Sequence, residues 1–162
     1  MTTREAILYG LRRTGALMTM FTRDLSRQDL HHRVVPQANC AAWILGHLAL
    51  GDRNMLTSLG VETLPALPYE DFDKRFARDE VAPRAEHFGD AELLPQVFKE
   101  HRDALVAAVE ALEESRFNEP LPKPLPIAAT VGELLLFMPI HAATHIGQIS
   151  TIRRSLGRPP LA

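Results

Sequence analysis

The chain has 162 residues, 46% of them hydrophobic and 23% charged, with a formal net charge of −2. That length fits one domain spanning residues 1–162, and the apolar share supports a buried core rather than disorder. With 18 basic against 20 acidic residues there is no cationic surplus to neutralise phosphates, which argues against a nucleic-acid partner. Ile7, Leu11, Thr14, Met18, Phe21 and Leu25 then recur at spacings of four and three, one apolar stripe of a first helix with Arg12, Arg13 and Arg23 off it. Ser26 can open a short turn reaching His32, and Pro36 interrupts. A second helix is expected from Asn39 as N-cap, through Ala41, Ile44, Leu48, Met55 and Leu59, to a stop at Gly60. Gly46 and Gly51 weaken it by about 1 kcal/mol each relative to Ala, and they leave room for a neighbour to approach closely.

Val61 to Gly89 has no sustained period and reads as a long loop with a helical turn near Asp71–Ala77. Loops of that length are often functional or lid-like. A third helix begins between Asp90 and Pro95, with a stripe of Leu94, Val97, His101, Ala104, Ala108 and Ala111. Pro120, Pro122, Pro124 and Pro126 make Glu119–Ala129 a stiff, extended connector. The fourth helix has the strongest start signal: Thr130 and Glu133 form a capping box. Leu134, Met138, His141, His145, Gln148 and Ile152 follow on its stripe, and Gly157 with Pro159 and Pro160 ends it. No paired strands are expected. Four amphipathic helices in this length predict an all-α four-helix bundle with a long connection between helices 2 and 3.

Cys40 is the only cysteine, so neither an intrachain disulfide nor a thiolate zinc site is available. Met1–Tyr9 carries Arg4 and Glu5 and does not read as a signal peptide. The longest apolar run, Val131–Ile140, is broken by Gly132, Glu133 and Pro139, well short of the roughly 20 residues that span a bilayer. A cytoplasmic protein without a membrane partner is expected.

The seven histidines carry the chemistry. His141 and His145 are one helical turn apart, so both imidazoles leave the same face, on a stripe that points into the bundle. Buried imidazoles need partners, and a divalent metal satisfies both at once. The competing reading is a satisfied core pair or surface decoration. His47, between Ile44 and Leu48, either completes a site built across facing helices or is a core-edge histidine bonded to a carbonyl. Three histidine ligands leave coordination positions open, as in catalytic sites. His101 reads as a group behind the ligands or as unrelated, rather than as a ligand. His31, His32 and His87 fall in turns or loops and are expected to be solvated. Gln148 is either a contact to a cofactor water or substrate, or a helix–helix polar contact.

Several chemistries are absent. His-Ala-Ala-Thr-His lacks the glutamate of helical zinc proteases, and no Glu-x-x-His pair, phosphate loop or serine elbow occurs. No carboxylate is placed as a general base, and Asp52 points away from His47. Hydrolysis would therefore lean on metal-activated water.

Asn39-Cys-Ala-Ala-Trp-Ile-Leu-Gly-His-Leu48 and the segment from His141 to Gly157, HAATHIGQISTIRRSLG, together resemble the DinB-like (damage-inducible, or YfiT-like) family of metalloenzymes. The resemblance extends over nearly the whole chain. It implies an up-down-down-up four-helix bundle, often a homodimer. It also implies a divalent metal (nickel, zinc, iron or manganese) on His47, His141 and His145. Some relatives are transferases or isomerases that use thiols such as mycothiol or bacillithiol. The functional expectation is a metal-dependent enzyme acting on a small molecule: a thiol-dependent S-transferase or isomerase, or a hydrolase. A non-catalytic, metal- or ligand-binding dimeric bundle is the alternative. A thiol co-substrate would arrive as a separate small molecule, since Cys40 reads as a small buried residue.

Overall fold

The computed structural model describes residues 1–77, 85–159 and 161. In chain order its helices are α1 (Thr3–Thr22), a short α2 (Arg27–His31), α3 (Ala41–Ser58), a short α4 (Phe72–Phe76), α5 (Leu94–Ala111) and α6 (Val131–Ser155). Three of these six starts are fixed by side-chain capping. Thr2 with Glu5, Ser26 with Asp29 and Thr130 with Glu133 form reciprocal capping boxes at α1, α2 and α6, each satisfying two otherwise orphaned N–H groups. Gly60 (φ 81°) and Gly157 (φ 73°) take the left-handed conformation that stops α3 and α6.

The expected cap of α3 is displaced. Cys40, not Asn39, occupies the N-cap position, without a side-chain bond, and Asn39 Nδ2 instead donates to Gln148 Oε1 at 3.4 Å. A tertiary partner on α6 has outcompeted the local one.

The long helices pack in the cyclic order α1, α5, α3, α6. Gly10 lies against Pro139 and the Phe21 carbonyl accepts from Arg153, so α1 and α6 run the same way. Asp52 pairs with Arg102 and the Leu59 carbonyl accepts from Arg116, just beyond α5, so α3 and α5 also run together. This is the up-down-down-up order, and it requires the long connection between α3 and α5. Part of that connection is structured. Phe72 and Phe76 of α4 are fully buried, and short 3-10 turns cover Ala85–Phe88 and Ala91–Leu93.

Two expectations need correction. The proline-rich connector is a hairpin: β1 (Pro120–Leu125) pairs antiparallel with β2 (Ala128–Thr130). Prolines normally exclude a central strand, but the sheet has only two strands, so β1 is an edge strand, and its register shifts between Pro120 and Leu125. The lower stripe of α5 is also rotated. Ala111 is exposed, and Phe98, Arg102, Leu105 and Val109 fill the buried face. An arginine at a core position disguised the true stripe.

The core falls into two apolar clusters. One packs Trp43, Ile44 and Leu48 of α3 with Phe72, Phe76 and Phe88 of the long connection and Ala142, Ile146 and Ile149 of α6. The other joins Ile7, Leu11, Leu56, Leu105 and Leu135 at the opposite end. Asp52 and Arg102 belong to neither cluster, although both are buried. Arg102 Nε and Nη2 donate to the two Asp52 oxygens at 2.7 and 3.0 Å, and Nη1 donates to Thr14 Oγ1 at 3.3 Å. Burial raises the Asp52 carboxyl above its ordinary pKa, while the Arg102 charge and hydrogen bonds pull it back. Among the described residues no helix is long and apolar enough to cross a membrane.

Candidate metal centre

His47 projects from the middle of α3 and is half-buried. Its ring stacks on Trp43, one turn earlier, with centroids 4.5 Å apart and planes 10° off parallel. Its Nδ1 lies 3.0 Å from the Phe76 carbonyl oxygen. A carbonyl can only accept, so Nδ1 carries the proton and Nε2 presents the lone pair. Phe76 ends α4, and a carbonyl in the last turn has no partner within the helix. The short helix and the histidine therefore satisfy one another.

His141 and His145 come from α6. His145 is buried, and its Nδ1 donates to Gln148 Oε1 at 3.0 Å. Asn39 converges on the same amide oxygen, which fixes the orientation of the Gln148 side chain. The Nε2 atoms of His145 and His141 are 3.0 Å apart. His141 stacks on Phe137, with centroids 5.7 Å apart and planes 11° off parallel. The three histidines offer ligand atoms that all lie within 4.8 Å of one another.

This spacing fits a metal. Two nitrogens bound tetrahedrally at 2.0–2.1 Å stand about 3.3 Å apart, close to the His141–His145 separation. The electrostatics agree. His141 is held down to about 4, chiefly by burial, then by neighbouring His145 and His47 and by the Arg102 charge. His145 is also lowered, by burial and His47, against the hydrogen bond to Gln148. Both rings are thus neutral at neutral pH, the form that binds metal. No carboxylate joins the group among the described residues.

The structure brings together the three histidines singled out in the sequence and places Gln148 behind His145 as its hydrogen-bond acceptor. Asp52 pairs with Arg102, away from the histidines. His31 and His32 are half-buried rather than solvated: His31 stacks near Phe88, and His32 Nε2 lies 2.9 Å from Ser155 Oγ. Cys40 is buried, and burial raises its thiol above its ordinary pKa.

Two partners carry no expectation from the sequence: the Phe76 carbonyl behind His47, and Arg102 on Asp52. Arg102 was legible in principle, since Phe98, Arg102, Leu105 and Val109 keep helical spacing. The Phe76 carbonyl had no sequence signal, because any residue supplies one.

A model of the DinB superfamily matches residues 11–149, which include all three histidines. The chain belongs to the DinB superfamily. Its fold is similar to that of Bacillus subtilis YfiT, described as "a probable metal-dependent hydrolase with an unusual four-helix bundle topology". The TM-score is 0.69 at 16% identity, covering 96% of this chain and 89% of that one. A conserved protein of Enterococcus faecalis is similar at TM-score 0.68 and 16% identity, covering 98% and 99%. At such identities the likeness concerns the fold. No curated protein matches significantly.

His101, the remaining histidine of the superfamily domain's core, stands apart from the triad. It is fully buried, and its Nδ1 donates to the Val97 carbonyl at 2.8 Å, while Nε2 has no partner. Burial lowers its pKa, and the Arg53 charge adds to this. The unfolded chain therefore binds a proton here near the ordinary value of about 6.5, before the folded protein does. The His101 contribution to stability is complete above that pH and is lost as pH falls towards the depressed folded value. A His101→Leu variant should show a flatter acid limb in a plot of Tm against pH; an unchanged limb would contradict this assignment.

Proposed function

We propose that this DinB-superfamily protein is a metal-dependent enzyme whose divalent ion is held by His47, His141 and His145. The observation that carries the reading is the convergence of three imidazoles, two of them with Nδ1–H already bonded to an oxygen acceptor. Such outer partners fix ring orientation and raise ligand basicity. When bound, a divalent ion acidifies a water or thiol in contact with it, to about 7 for water on zinc.

The chain's own residues supply the rest. Trp43 and Phe137 clamp the rings of His47 and His141 by stacking. The aromatic cluster of Phe72, Phe76 and Phe88 keeps water from the inner wall. An all-imidazole ligand set leaves the charge of the ion uncompensated. The open position therefore favours an anionic ligand, either hydroxide for hydrolysis or the thiolate of a small thiol for S-transfer or isomerisation. A small thiol is the better candidate for group transfer, because the protein's own Cys40 is buried and kept protonated.

Purified protein should bind one divalent ion per chain, with an affinity that falls in acid solution as the histidine ligands take up protons. Turnover of electrophiles, with and without added thiols, then separates transferase from hydrolase. Tight metal binding with no turnover would favour the non-catalytic bundle, and no metal binding at all would overturn the proposal.

A further inference from the structure

Gly46 and Phe76 form a second contact between α3 and α4, directly beside the Phe76–His47 hydrogen bond. A Cβ placed on Gly46 would lie 2.2, 2.3 and 2.5 Å from Phe76 Cδ1, Cε1 and Cγ. Only a residue without a side chain admits the ring, and the helix accepts a glycine at a cost of about 1 kcal/mol to provide that space. The ring is fully buried and packs on Phe72, with centroids 4.4 Å apart, and on Phe88 at 5.8 Å. One residue thus does two things: its ring is seated at position 46, and its carbonyl accepts from the side chain at position 47.

Resting on the metal reading above, we propose that Phe76 is a positioning residue for the metal centre. Seated on Gly46, it fixes His47 in the Nδ1–H tautomer with Nε2 turned to the metal. The connection between α3 and α5 is then part of the centre rather than a tether. Its α4 segment pre-organises a ligand on α3, while Gln148 does the same for His145 within α6. Partners behind metal ligands typically contribute 10–100-fold to affinity.

The test uses zinc titration against a chromogenic chelator and nitrogen-15 NMR of the histidine rings in the metal-free protein. Wild-type protein should show His47 as the Nδ1–H tautomer. Gly46→Ala should weaken zinc binding at least tenfold and mix the His47 tautomers. Adding Phe76→Ala, which removes the Cγ, Cδ1 and Cε1 atoms that the new methyl would meet, should leave zinc affinity no lower than in Phe76→Ala alone; two independent destabilising changes would add instead. Phe76→Ala, which unseats the carbonyl without crowding α3, should also weaken zinc binding and serves if Gly46→Ala does not fold.

An Nε2–H tautomer in wild type, or wild-type affinity in folded Gly46→Ala or Phe76→Ala protein, would overturn the proposal. Failure of wild-type protein to bind zinc, nickel, iron or manganese would instead overturn the metal reading, and the tautomer measurement would still stand on its own.

Discussion

Replacing Arg102 by Met should cost about 3–5 kcal/mol of stability, because Asp52 is left as a buried carboxylate without its cation. For a chain of this size, that corresponds to a fall in Tm of roughly 10 °C. The pair is bidentate and both partners are buried, in neither of the two apolar clusters. Much of the loss reflects the stranded charge rather than the net worth of the pair. An Asp52→Leu, Arg102→Met double variant should therefore regain most of it, since apolar replacement of a buried pair is often neutral or better. Thermal unfolding of the three variants checks this. A single variant within about 1 kcal/mol of wild type would show that the pair is dispensable.

Loss of the α6 histidines should have the largest effect on binding. Removing a group behind a ligand costs 10–100-fold in affinity, and removing two ligands should exceed that, leaving no stoichiometric metal after dialysis. The His141→Ala, His145→Ala variant should nevertheless fold. Ala142, Ile146 and Ile149, which face the core from the same helix, are untouched, and the capping box at Thr130 remains. Metal analysis together with far-UV circular dichroism separates the two effects: absent metal with unchanged helix content is the expected pair of results. Full metal retention in the folded variant would place the metal elsewhere.

Local rules made much of this legible. The stripes of α1 and α6, the capping box at Thr130, the stops at Gly60 and Gly157 and the close approach at Gly46 all follow from short-range patterns. The His141–His145 pair was legible for the same reason, since one helical turn fixes their common face. What escaped depends on tertiary choice. Asn39 prefers Gln148 on α6 to capping its own helix. The prolines at 120, 122 and 124 tolerate pairing because β1 is an edge strand with an irregular register. Arg102 occupies a core position only because Asp52 meets it from α3. The Phe76 carbonyl contributes backbone alone, so no residue type announces it; its only trace is the glycine at position 46 that its ring requires.

The central claim is that the three imidazoles form one metal centre. Anomalous diffraction from crystals grown with zinc, collected on both sides of the zinc absorption edge, tests it most directly. A single strong peak is expected about 2.0–2.1 Å from Nε2 of His47, His141 and His145, with Phe76 and Gln148 still bonded behind His47 and His145. A peak bound through Nδ1, a peak at another site, or three imidazoles with no peak between them would contradict it.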